Sequence, residues 1–300
     1  MIKSITITNH LQDSLTMVLT EPETSGFIIR SIEGLGPAKA NIRTIDLVTL
    51  DGAIDNGAQL ETRNIVMSLT FLGTPLIEDT RLKSYKYFPI KQNIKFEIET
   101  DRRHCYTMGR VESNEPNIFD QNEGCQISII CPDSYFQNMK DTIVNFNSID
   151  SGFEFPFSNE SETPQMEFGA IKNDMYGNLF YEGDSEVGVV FEIHAIGSAT
   201  GLGIYRLDTL EAITISDTKL QAIVGEGIKA GDTIIISTVK GDKSVFLIRD
   251  GLYYNILNAL NAPITWFSLH KGDNTFLLNA ATGLAKLQYK MSYRTLYEGV

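Results

Sequence analysis

The sequence predicts a mainly β protein made of two antiparallel β-sandwich or barrel domains. Apolar residues recur mostly with a period of two, which is typical of strands. The apolar runs are short, and turn pairs such as Asp51-Gly52 and Asp250-Gly251 separate them. That spacing favours antiparallel sheets over βαβ units. The chain has 300 residues, more than one hydrophobic core ordinarily serves, which indicates two domains.

The clearest strands come from alternating runs within residues 65–71, 94–98 and 287–293, where every second side chain is apolar. One face of each strand is therefore expected in a core and the other in water. Weaker runs predict further strands at residues 15–19, 27–32, 42–50, 127–131, 187–194, 213–215, 233–239 and 245–249. The Asp250-Gly251 pair after the last of them predicts a hairpin turn.

Helical signal is scarce and predicts one short helix in the N-terminal domain. This helix is expected over residues 79–88, with Thr80 placed to cap it and with Leu82 and Tyr85 on one face. Residues 255–260 predict one or two further turns at most.

The domain boundary is expected where residues 132–150 cross from one unit to the other. A polar, acidic stretch follows Pro132 and extends over residues 145–165, and the second half of the chain is the more acidic. The sequence therefore predicts domains at residues 1–140 and 141–300.

Charge and composition exclude several classes of partner. The formal net charge is −13, whereas a protein that binds nucleic acid or an anionic membrane surface normally carries a basic patch. The chain has no apolar run long enough for a membrane span, and its first residues lack the apolar region of a signal peptide. We therefore expect synthesis in a cytoplasm, with no nucleic-acid and no membrane partner. Cys105, Cys125 and Cys131 are expected to be reduced thiols.

No catalytic, cofactor or metal-binding pattern stands out in the sequence. The glycine pairs lack the strand and helix context of a dinucleotide-binding loop. A wall glycosidase would need two carboxylates, one of them in an apolar setting. The candidate carboxylates are Glu154, Glu160, Glu162, Glu167, Glu192 and Glu211. Alternation places Glu192 on the solvent-exposed face of its strand, which is not the apolar setting that such an acid needs. The glycosidase hypothesis is therefore the weaker alternative, and the chain is expected not to be an enzyme.

A carbohydrate-binding module that adheres to a cell wall is the stronger alternative. Trp266 is the only tryptophan, and with Tyr253 or Tyr254 it could form an aromatic platform for a sugar ring. Trp266 also fits the core of a sandwich.

Several separated segments are similar to a known family. They read IIRSIEGLGP (28–37), RNIVMSLTF (63–71), RLKSYKYFP (81–89), GRVES (109–113), QISIICPD (126–133), GDTIIIST (231–238), WFSL (266–269), GDNTF (272–276) and YRTLYEGV (293–300). In this order they resemble the distal tail proteins of bacteriophages with long, non-contractile tails. The likeness covers most of the chain and is weakest over residues 145–186.

The resemblance implies a structural protein of a phage, prophage or tailocin tail tip, assembled in the bacterial host cytoplasm. Family members form a homohexameric ring, which the N-terminal domain builds. The ring joins the tail tube protein to a tail-associated fibre or lysin protein, and a tape measure protein is a further candidate partner. The C-terminal domain would be a galectin-like sandwich that faces outwards as an attachment platform. The family uses no cofactor.

A ring also suggests a role for residues 37–63, from Pro37 to Arg63. A strand-like stretch, the Asp51-Gly52 turn and a returning strand contain few apolar residues near the turn. We expect a long hairpin arm that reaches a neighbouring subunit, because a closed ring needs head-to-tail contacts. An ordinary surface hairpin is the alternative.

Overall fold

The computed structural model describes residues 1–46, 51–73, 76–151, 169–173 and 176–300, and it is mainly β, as the sequence predicts. The chain divides into two compact units. Unit 1 comprises Met1–Met139 and Leu296–Val300, and unit 2 comprises Lys140–Thr295. The last five residues are predicted to belong to the second domain, but the side chains of Tyr297 and Val300 pack against the core of unit 1.

The described residues of unit 1 form ten strands before the chain leaves this unit. They are β1 (Ile2–Thr8), β2 (Ser14–Val18), β3 (Phe27–Glu33), β4 (Ala40–Asp46), β5 (Ala53–Leu60), β6 (Arg63–Phe71), β7 (Asn93–Thr100), β8 (His104–Asn117), β9 (Gly124–Cys131) and β10 (Phe136–Asn138). Seven of them follow one another in an antiparallel sheet, in the order β2-β1-β7-β8-β9-β6-β3, and β10 joins the same sheet by pairing with β8. All seven contribute buried apolar side chains to one cluster, so this sheet must curve strongly around its core. The alternation predicted at residues 65–71 and 94–98 is confirmed, because the apolar positions of both runs are buried.

The structure describes two helices in unit 1, where the sequence predicts one. The first, α1 (Pro22–Ser25), is a single turn, and the second, α2 (Ile77–Tyr87), corresponds to the predicted helix. The predicted cap is wrong: α2 begins after Leu76 without a side-chain cap, and the buried Thr80 hydroxyl instead donates to the carbonyl of Leu72. Leu82 and Tyr85 are exposed, so α2 buries the face that carries Thr80 and Ser84.

Unit 2 contains fourteen strands within its described residues. They are β11 (Thr142–Asn145), β12 (Asn147–Ser151), β13 (Gly169–Asn173), β14 (Tyr176–Tyr181), β15 (Val187–Gly188), β16 (Val190–Ala195), β17 (Gly203–Arg206), β18 (Glu211–Thr214), β19 (Thr233–Ser237), β20 (Ser244–Arg249), β21 (Leu252–Asn255), β22 (Ser268–Leu269), β23 (Gly272–Asn279) and β24 (Leu287–Tyr293). Helix α3 (Asp217–Val224) and 3₁₀ turns at Leu257–Ala259 and Leu284–Lys286 complete the unit. No helix in the described part of the chain is both long and apolar enough to span a membrane.

The core of unit 2 lies between two antiparallel sheets, as in a β-sandwich. The sheets have the orders β11-β24-β16-β19-β20-β21 and β14-β23-β17-β18. Phe191 of the first sheet and Phe276 of the second meet edge to face, with 5.7 Å between ring centroids, and Phe267 contacts both. Such aromatic contacts join the two sheets and add to the area that they bury. The predicted hairpin turn at Asp250-Gly251 is confirmed: both residues have positive φ, and Arg249 pairs with Leu252.

The chain returns to unit 1 with β25 (Leu296–Tyr297), which pairs antiparallel with β10. Phe136 pairs with Tyr297, and Gln137 pairs with Leu296. The residues of unit 2 are thus inserted, in sequence, between two neighbouring strands of unit 1.

Candidate assembly interface

The hairpin at residues 40–60 is a two-stranded sheet on its own. Strands β4 and β5 pair antiparallel from Ala40 opposite Leu60 to Asp46 opposite Ala53, and no described strand of unit 1 pairs with either. Asp51 and Gly52 lie exposed where β5 begins, while residues 47–50 lie outside the described part of the chain. We call the described residues of 40–60 the arm.

A bulge bends the arm in its middle. The register shifts between Ile42 and Thr44, so two residues of β5 lie opposite one residue of β4. Gly57 lies in this bulge with φ +94°, and its N–H donates to the Asp55 carboxylate at 2.9 Å. A bulge of this kind needs a residue that tolerates positive φ, which explains the glycine.

The arm exposes large apolar side chains on both faces. Ile45 and Ile54 pair directly across the strands and are 51% and 52% exposed, and Ile42, on the other face of β4, is 65% exposed. A two-stranded hairpin is at best marginally stable in water unless it packs against something. Isoleucines on both faces are therefore consistent with contact to another surface.

The foot of the arm is anchored in unit 1 by a buried side chain. The sequence predicts Arg63 as an arm residue that contacts a neighbouring subunit. Its side chain is instead only 2% exposed and lies inside unit 1. Its guanidinium donates to the carbonyls of Gly36, Ser134 and Glu298 and lies 4.3 Å above the Phe136 ring. Burial lowers the pKa of Arg63. Pro37 lies exposed between this buried contact and the first strand of the arm.

Tyr253 and Tyr254, the two alternative tyrosines of the predicted glycan platform, lie on opposite faces of β21. Tyr253 is 71% exposed, whereas Tyr254, the next residue on β21, packs against the core of unit 2. Successive side chains of a strand point to opposite faces, so the two tyrosines cannot line one platform. Trp266 also packs against the core, with Lys243 Nζ 5.8 Å from its ring. The structure therefore favours the core interpretation of Trp266.

The two glycosidase candidates within the described residues, Glu192 and Glu211, lie in different sheets. Glu192 lies on the outer face of β16 and accepts a hydrogen bond from Lys290 Nζ at 2.8 Å. Glu211 begins β18, in the other sheet, and accepts from the Thr209 hydroxyl. The remaining candidates, Glu154, Glu160, Glu162 and Glu167, lie outside the described residues.

The three cysteines are free and buried in unit 1. Burial raises the pKa of Cys105 and of Cys125 to about 12, and that of Cys131 to about 11. Because the thiolate is the reactive form, these side chains are chemically inert in the folded protein.

An open pocket of about 500 Å³ lies on the sheet of unit 1 near the β8–β9 connection. Arg30, Glu115, Asn117 and Asp120 are among the polar residues that line it. Arg30 already donates to the Thr70 hydroxyl. This lining contains no nucleophile paired with a base, and it gives no indication of a ligand.

Comparison with known proteins supports the fold. No protein-family model and no curated protein sequence matches the chain. Among solved structures, the SPP1 Dit protein (gp 19.1), described as a paradigm of the hub adsorption apparatus in phages that infect Gram-positive bacteria, matches with a TM-score of 0.67 and 11% identity. The match covers 97% of this chain and 98% of Dit.

Two chains from the phage P2 baseplate in its activated conformation match less well. The structure with Ca gives a TM-score of 0.46 and the structure with Sr gives 0.44, both at 13% identity. The first match covers 97% of this chain and 98% of the other, and the second covers 96% and 97%. The likeness to Dit extends over both units, and the resemblance to phage distal tail proteins is confirmed at the level of the fold: the chain has the fold of the phage hub protein Dit.

Proposed function

We propose that this protein is a structural component of a phage tail tip, in an active phage, a prophage or a tailocin. The observation that carries the proposal is the Dit fold over nearly the whole of both chains. A likeness restricted to one sandwich would indicate only a common β architecture, because unrelated functions share such folds. Here both units and their order along the chain correspond.

In this proposal six copies form a closed ring through unit 1. The ring joins the tail tube protein to a tail-associated fibre or lysin protein, with the tape measure protein as a further candidate partner. Unit 2 is a galectin-like platform that faces outwards. Rings need heterologous interfaces, in which one surface of each copy contacts a different surface of the next.

The arm is the candidate for this heterologous contact. Its strands pair only with each other within the described residues, and its isoleucines are exposed on both faces. In the proposed ring the arm packs on unit 1 of the neighbouring copy, so that the exposed isoleucines become buried.

Electron microscopy of the purified full-length protein tests the proposed function. Negative-stain class averages should show rings with sixfold symmetry. Rings of another symmetry, or open filaments, would contradict the proposal. Because some rings form only on a template, the same images are recorded with the tail tube protein added. Free single copies in both samples would also contradict it.

A further inference from the structure

Arg63 occupies an unusual position at the foot of the arm. It is the first residue of β6, three residues after the arm ends at Leu60. Its guanidinium is buried, and no carboxylate of the described residues contacts it. Its hydrogen-bond acceptors are four backbone carbonyls, those of Gly34, Gly36, Ser134 and Glu298. A planar fork of five donors suits such a set of acceptors, which a lysine ammonium could not satisfy together.

These carbonyls come from three separate parts of the chain. Gly34 and Gly36 lead into the arm, Ser134 precedes the exit from unit 1, and Glu298 belongs to the returning segment Leu296–Val300. Arg63 itself leads out of the arm. The hydrogen bonds of one side chain therefore connect both ends of the arm to the returning segment.

The returning segment makes further contacts at the same place. Val300 N–H donates to the Leu35 carbonyl at 3.1 Å, and Gly299 lies so close that an added Cβ would be 3.1 Å from that oxygen. Arg103 donates to the Gly299 carbonyl and lies 4.4 Å above the Tyr297 ring. The segment is thus fixed to unit 1 on one side and to the entry of the arm on the other.

A backbone hydrogen bond directly next to the arm adjoins these contacts. Glu61 N–H donates to the Lys39 carbonyl at 2.8 Å, and the Ser134 hydroxyl donates to the Glu61 carbonyl at 2.7 Å. Ser134 therefore contacts both Glu61 and Arg63. Beyond the hydrogen bond between Glu61 and Lys39, the side chains of β4 and β5 are exposed apart from Leu60, which is half-buried. The direction of the arm is consequently set at its foot.

We propose that Leu296–Val300 is a latch that fixes the direction of the arm, with Arg63 as the positioning residue that connects the two. The latch itself follows from the contacts within unit 1. Its consequence for assembly rests on the proposed ring function: an arm with a loosened foot samples many directions, so less of the protein presents the arm as the neighbouring copy requires.

Hydrogen exchange at single amides tests the latch in the free chain. The variants are a deletion of residues 296–300 and Arg63→Lys, and the matched control is Arg43→Lys, an exposed arginine within the arm that contacts Gln59. We expect the Glu61 amide to exchange at least tenfold faster in both test variants, with the Ile5 amide of the core unchanged. The control should leave both amides unchanged.

Two outcomes would overturn the latch. Unchanged exchange at Glu61 would show that the foot holds without the segment. Faster exchange at Ile5 as well would show that the segment supports the whole core and has no particular role at the arm. The ring is scored separately by light scattering. A loosened foot with undiminished assembly would overturn the coupling to assembly. A wild-type chain that forms no ring, even with the tail tube protein added, would contradict the proposed function and leave the exchange result valid.

Discussion

The exposed isoleucines of the arm give the sharpest test of its role. We consider the triple substitution Ile42→Thr, Ile45→Thr and Ile54→Thr. Threonine keeps the β-branch that strands favour, so the hairpin should still form. The three side chains contribute little to the folded single copy because each is at least half exposed. The free energy of unfolding should therefore change by no more than about 0.5 kcal/mol for each substitution.

The same substitutions should weaken the ring strongly. Full burial of an isoleucine contributes about 1.5–3 kcal/mol, and about half of each side chain remains to be buried, so each contributes roughly 1 kcal/mol. Three of them give about 3 kcal/mol for each contact between neighbours, which corresponds to roughly a 150-fold weaker association. Sedimentation velocity over a concentration series measures this change, and urea unfolding measures the stability.

A matched control replaces three exposed isoleucines of unit 2, in Ile143→Thr, Ile196→Thr and Ile223→Thr. The control should assemble like the unmodified chain. If the arm variant also assembled normally, the arm would not be the contact between copies. If it lost more than about 3 kcal/mol of unfolding free energy, its isoleucines would belong to the fold of their own chain.

Three further predictions concern the buried charges, the thiols and the overall charge. Asp232→Ala should cost about 3 kcal/mol of unfolding free energy in urea titrations, because the buried Arg249 guanidinium loses its hydrogen bonds to both Asp232 oxygens, at 2.8 and 2.6 Å. Arg249 keeps the Gly227 carbonyl and, at 4.0 Å, the exposed Glu226 carboxylate. Asp242→Ala in an exposed turn is the control, and an equal loss in both variants would refute the argument. Ellman's reagent should react with no thiol of the native protein and with all three after unfolding. Since burial raises the thiol pKa values above those of the unfolded chain, about 8.5, the unfolded state releases its protons first, and stability should fall as the pH rises beyond that value. A rise in stability over the same range would contradict that sign. Finally, with a net charge of −13 for each copy, the ring should dissociate more at about 20 mM salt than at about 150 mM, and dissociation that is independent of salt would count against repulsion between copies.

Local patterns explain how much of the fold the sequence predicts. The alternating run at residues 287–293 gives β24 directly, because a period of two depends only on neighbouring residues. Helix α3 is not among the predicted elements, although Ser216 caps its start and Gly225 ends it with φ +83°. Those cap residues were a usable signal, since helices of this length are recognised mainly by their ends.

Long-range contacts explain what the sequence does not predict. The return of Leu296–Val300 to unit 1 depends on pairing between β25 and β10, which are far apart in the chain. A periodic pattern of apolar residues does not predict which distant strands pair. The buried role of Arg63 is hidden for the same reason, because its partners are carbonyls that any residue carries. Tyr253 and Tyr254 show the opposite case: strict alternation already places them on different faces of β21.

A photo-crosslink from the arm tests the central claim most directly. The photoreactive residue p-benzoylphenylalanine replaces Ile45, which is exposed on the arm. We expect crosslinks from the arm to unit 1 of another copy, and a ladder of linked chains on a denaturing gel that stops at six. Three results would contradict a closed ring held by the arm: a ladder that continues past six, crosslinks that stay within one chain, or no linked chains even with the tail tube protein added.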